Sequence, residues 1–136
     1  MEERISKVSF MWVVIMVGFA MHMLADMLPA FWGVDIAMPD AKGEDPVGMI
    51  MFMISFSFFI PMCGLLCMQY RRLKAMVTVN LILAGIMMVF NILHMSELFV
   101  EFSPVQLLIH PVMVIAGIYL FIFSLEERKR CSRRLE

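Results

Sequence analysis

Each of the three histidines in this 136-residue chain, His22, His94 and His110, falls inside a long apolar run with an acid or amide within about one helical turn. Asp26 follows His22 and Glu97 follows His94, while Gln106 precedes His110; on a helix these spacings place the partners on one face or on adjacent faces. Neutral imidazole nitrogens and carboxylate oxygens suit Zn²⁺, and three His with one carboxylate complete a tetrahedron. The set therefore predicts a transition-metal site, zinc first, made of His22, Asp26, His94 and His110. Glu97 would serve as a general base beside it, and Gln106 would orient the His110 imidazole. With one position left to water, such a centre would be a Lewis acid able to cleave a lipid or amide bond.

The same residues support other chemistry. Two imidazoles at one depth on different helices could be the axial pair of a b-type haem, drawn from His22, His94 and His110, with Gly18 and Gly117 leaving room for the macrocycle. Against haem stand Asp26 and Glu97, which favour a cation over a large apolar ring. A carboxylate and His in a wet cavity would also suit a small proton-coupled transporter, and polar groups that only bond one another would suit a structural subunit of a larger membrane complex.

The helices that must carry these side chains are legible from composition. With 62% hydrophobic residues and a mean hydropathy of +0.86, the chain has more apolar surface than a soluble domain of this size can bury. A spanning helix needs roughly 20 apolar residues, and four runs reach that length, at about 8–32, 48–70, 75–98 and 104–125. The expectation is an all-α integral membrane four-helix bundle of two antiparallel hairpins, with residues 1–136 forming a single domain in contact with the lipid bilayer. The first run is too long for a removable signal peptide and is expected to be retained.

Every Lys and Arg except Lys42 lies before the first run, between the second and third, or in the basic tail 126–136. Basic loops stay on the cytoplasmic side, so both termini are expected in the cytoplasm, as in a prokaryotic cytoplasmic membrane. The acidic segment Gly33–Val47 then faces outward as a solvated cap, and Trp12 and Trp32 are expected at the two membrane interfaces. The net charge of −1 averages a basic face with an acidic one, and no nucleic-acid footprint is present. Partners beyond lipid would be a second copy of the chain or a larger membrane complex.

Stepping by three and four residues groups the polar and small side chains into stripes. The third run gives Asn80, Ala84, Met87, Asn91, His94 and Leu98; the fourth gives Gln106, His110, Val114, Gly117 and Ser124; the first gives Gly18, His22, Asp26 and Pro29. Facing lipid costs a charged side chain about 2.5–3.5 kcal/mol at mid-bilayer, so these stripes should face one another. The second run offers Ser57, Pro61, Gly64 and Met68, a wall kinked at Pro61 and free of ionisable groups. The 17 Met are spread over all four runs and read as flexible packing, while Cys63 and Cys67 read as small packing residues with no redox spacing.

Overall fold

Polar backbone cannot be left unpaired in hydrocarbon, and long apolar runs without strand alternation satisfy it within helices. The computed structural model describes residues 6–37, 43–44, 46–100 and 102–134, and these contain helices and no strands. Helix α1 spans Lys7–Met27 and continues through a 3₁₀ turn, Leu28–Trp32. Helices α2 (Val47–Ile54) and α3 (Ile60–Gln69) are joined by one π turn, Ser55–Phe59. Helix α4 spans Lys74–His94, α5 is the short Glu97–Val100, and α6 runs from Gln106 to Arg133. Four helical stretches result that are long and apolar enough to cross a membrane: Lys7–Trp32, Val47–Gln69, Lys74–Val100 and Gln106–Arg133.

Local chemistry sets the ends and breaks. The Ser6 hydroxyl accepts the Ser9 amide at 3.0 Å and caps α1. Gly33 ends the 3₁₀ turn at φ 77°, a left-handed conformation that glycine adopts at no steric cost. Pro61 has no amide proton for the carbonyl four residues back, and the chain widens just before it, so that the Ile60 amide reaches the Ser55 carbonyl. The kink expected at Pro61 is thus realised as a π turn one step earlier.

Helix α4 packs along α6, α1 along both α6 and α3, and α3 along α4. Small residues allow the closest approaches. A Cβ on Gly117 would stand 3.0 Å from Asn91 Nδ2 and 3.4 Å from Met88 Cα, and one on Gly64 would strike the Trp12 indole. The core consists of Val8, Trp12, Ile15, Phe19, Met68, Ala84, Met87, Met113, Ala116 and Leu120.

One expectation is corrected. Trp12 is no interfacial anchor: it is fully buried, and its indole N–H donates to Asn80 Oδ1 at 2.8 Å, whereas Trp32 is 77% exposed. An amphipathic ring placed inside a bundle needs a polar partner, and Asn80 supplies it. The basic tail after the fourth run is helical. It continues α6 to Arg133, with Arg130 near Glu126 and Glu127 at 3.8 and 3.9 Å and with Cys131 buried against the Arg72 carbonyl. Of the cap expected over Gly33–Val47, residues 38–42 and 45 lie outside the described residues, as does Glu101.

Asn80 also donates to Ser124 Oγ at 2.9 Å, linking three spans through one amide. Asn91, on the same helix and 2% exposed, has neither polar side-chain atom paired among the described residues. Replacing Asn80 by Leu should lower stability by about 1–3 kcal/mol, because it orphans the Trp12 N–H and a Ser124 lone pair, while Asn91→Leu should be neutral or stabilising. Thermal unfolding of the two variants in one detergent checks this ordering.

Candidate metal centre

Three spans deliver one imidazole each to a common level. The His22, His94 and His110 ring centroids are separated by 4.8, 4.9 and 5.0 Å, two of the pairs edge to face. One ligand atom from each of His22, His94, Glu97 and His110 lies within 4.8 Å of every other. These four residues could hold a metal ion.

Hydrogen-bond partners determine which nitrogen of each ring carries the proton. His110 Nδ1 lies 3.0 Å from the Gln106 carbonyl oxygen, which can only accept, so Nδ1 is the donor. His22 Nδ1 lies 2.7 Å from Gln106 Oε1. The Gln106 amide is oriented by its other end, which donates to Asp26 Oδ1 and, at 3.5 Å, to the His22 carbonyl, leaving Oε1 to accept from His22. His94 Nδ1 meets Glu97 Oε1 at 3.0 Å. Each of the three Nδ1 atoms therefore faces an acceptor, and Nε2 is the nitrogen each ring has left for a shared proton or a metal. His94 Nε2 and His22 Nε2 are 3.2 Å apart, and His110 Nε2 is buried with no hydrogen-bond partner among the described residues.

Asp26 lies beside this group: Oδ2 is 3.6 Å from His22 Nε2 while the other oxygen takes the Gln106 amide. Asp26 and Glu97 are the wet members, with side chains 57% and 61% exposed against 12% and 14% for His22 and His94. A cavity of about 550 Å³ opens on this side, lined by both carboxylates, Ser103, Gln106, His22 and His110. The opposite side is aromatic. Phe90 stacks on His94 at 5.4 Å and 16°, and Phe56 stacks on Phe90 at 4.2 Å, so the second span contributes a wall and no metal-ligating group.

No family model matches the chain, and neither does any curated protein or solved structure. The geometry therefore carries the functional argument alone.

Sequence spacing had marked all three histidines, both carboxylates and Gln106. It assigned Gln106 to His110 only, whereas the side chain serves His22 and the backbone carbonyl serves His110. Phe90 was missed, although it precedes His94 by four residues and so shares its face. Ser103 and Phe102, which line the cavity from the loop before α6, carried no periodic signal.

Replacing Gln106 with Leu would leave His22 Nδ1 without its acceptor and free that ring to turn. Metal affinity should fall about 10–100-fold, the usual effect of losing an outer partner of a ligand. Competition of the purified variant against a zinc chromophore measures the change, with the helical circular dichroism retained.

Proposed function

We propose that this chain is an integral membrane protein that binds a zinc-like transition metal at His22, His94 and His110 and uses it for hydrolysis. The observation that carries the proposal is that one ligand atom from each of His22, His94, His110 and Glu97 lies within 4.8 Å of every other, while the Nδ1 atom of each ring already faces an acceptor. His94 Nε2 and His22 Nε2, 3.2 Å apart, can share a proton, and a cation bound between the rings would take that proton's place. Neutral imidazole with Nδ1–H on a carboxylate or carbonyl is the form in which histidine binds zinc.

His22, His94 and His110 would hold the metal, and the cavity beside them is lined by Asp26 and Glu97. A bound zinc would act as a Lewis acid and lower the pKa of a water in its shell toward neutrality. Glu97, in the same group of ligand atoms, would serve as the general base that accepts a proton during hydrolysis and returns it to the leaving group. Asp26, held through Gln106, would close the metal shell or fix the water.

The haem alternative is less well supported, since the rings are in direct contact and an axial pair needs a macrocycle between its imidazoles. Through-transport is also less well supported: between the His level and the Asn80 level, Ile15, Ala84, Met87 and Leu120 are fully buried and form a dry layer. We place both termini in the cytoplasm on the loop charges, which sets the metal centre in the outer half of a single four-span unit.

Metal per polypeptide, measured by mass spectrometry after purification, should approach one zinc in the wild type and fall to background in a His22→Ala/His110→Ala double variant. Iron lost in the same variant would support haem, and no metal in either protein would overturn the proposal. For orientation, a cysteine introduced at Glu44 in a cysteine-free background should react with an impermeant maleimide on intact cells, and one at Ser132 only after lysis.

A further inference from the structure

A second cavity, of about 430 Å³, reaches the same cluster from another direction. His22, Asp26 and Glu97 belong to the walls of both cavities, so the candidate metal centre stands where the two meet. Their chemistry differs. The first is mixed, with Leu98, Val100 and Phe102 beside Ser103 and Gln106, whereas the second is mainly apolar, walled by Phe52, Phe56, Phe90 and the thioether side chains of Met49 and Met53.

The mainly apolar cavity is lined by the first, second and third spans. Its rim residues Met49, Phe52 and Met53 are 43%, 53% and 37% exposed, on helices whose apolar surface in a bilayer meets acyl chains. A soluble substrate could use the mixed cavity alone and would have no part to place against the aromatic wall. A molecule that is hydrocarbon at one end and polar at the other fits both.

Resting on the zinc site proposed above, we infer that the substrate is a membrane amphiphile. Its acyl chain enters laterally into the Phe52/Phe56/Met53 cavity, its carbonyl linkage lies at the three imidazoles, and its headgroup lies toward Gln106 and Ser103. Lipid tails are about as apolar as the cavity walls, so the chain enters with little net hydrophobic gain. In the bilayer, the cavity's contribution is to position the linkage, and the polar end supplies discrimination.

The test uses the full chain in phosphatidylcholine nanodiscs, loaded with Co²⁺ and read by the visible absorption of the metal, with hydroxamates as probes. Dodecanohydroxamate should perturb the spectrum at a concentration at least about tenfold below that needed for acetohydroxamate, a difference of about 1.4 kcal/mol. Partitioning into lipid contributes to any such preference, so two cavity-filling variants, Met53→Trp and Met49→Trp, provide the control. The part of the preference due to the cavity should be lost in both while the Co²⁺ spectrum stays intact. An equal chain-length preference in wild type and both variants would overturn the amphiphile assignment and leave the metal site standing. Failure of the wild type to give a Co²⁺ spectrum would overturn the metal site, and this inference with it.

Discussion

One residue, Gln106, ties the histidine end of the bundle together. Its side-chain oxygen takes the His22 Nδ1 proton, its amide nitrogen donates to Asp26 and to the His22 carbonyl, and its backbone carbonyl takes the His110 Nδ1 proton. Two imidazoles on two spans are thereby given the same tautomer by a single side chain and its own carbonyl. In a low-dielectric interior such a bond is worth more than in water, and leaving any member unpaired costs more. The third imidazole is set independently by Glu97, on the short helix that follows the Met95–Ser96 break in the third span. That break lets the third span carry His94 facing inward and Glu97 in the wet cavity only three residues later.

The opposite end of the bundle is built on a different principle. Trp12, Asn80 and Ser124 form a closed chain of donors and acceptors across three spans, with no lone pair directed at a shared point. Gly64 lets the second span lie against the indole, and Gly117 brings α6 close to α4 at Asn91. Between the two ends, the buried layer of Ile15, Ala84, Met87 and Leu120 separates a satisfied network from an unsatisfied one. The orphaned polar atoms, His110 Nε2 and the Asn91 amide, all lie on the side of the histidines. Buried polar groups without partners are costly, and His110 Nε2 lies in the group of side chains that could hold a metal ion.

Much of this was legible in the sequence because hydrocarbon imposes simple rules. Four apolar runs of spanning length, interrupted by charge, can be little other than helices, and their observed ends agree with those read from hydropathy to within a few residues except at the tail. The stripe from Asn80 through Ala84, Met87 and Asn91 to His94 is the buried face of α4, because a polar side chain in such a helix has only the other helices to turn to. Trp12 defied the rule that places tryptophan at the interface, since the rule knows nothing of an Asn on another span that can accept its N–H. The sequence reading used the tail only for its charge, although Glu126, Glu127 and Arg130 carry the spacing of helical ion pairs and Cys131 is apolar enough to bury.

By itself, then, the sequence determined four helices, their inward faces and the gathering of three histidines and two carboxylates at one level, because period and hydropathy act within each helix. Tertiary structure alone decided which nitrogen of each imidazole faces an acceptor, that Gln106 serves two histidines, that Glu97 groups with the imidazoles while Asp26 lies against Gln106, and that a mixed cavity and a mainly apolar one meet at the cluster. Those outcomes depend on the rotation and approach of one helix relative to another. Rotation and approach are set by contacts such as Gly117 against Asn91 and Gly64 against Trp12, between residues far apart in the chain, and no local pattern records them.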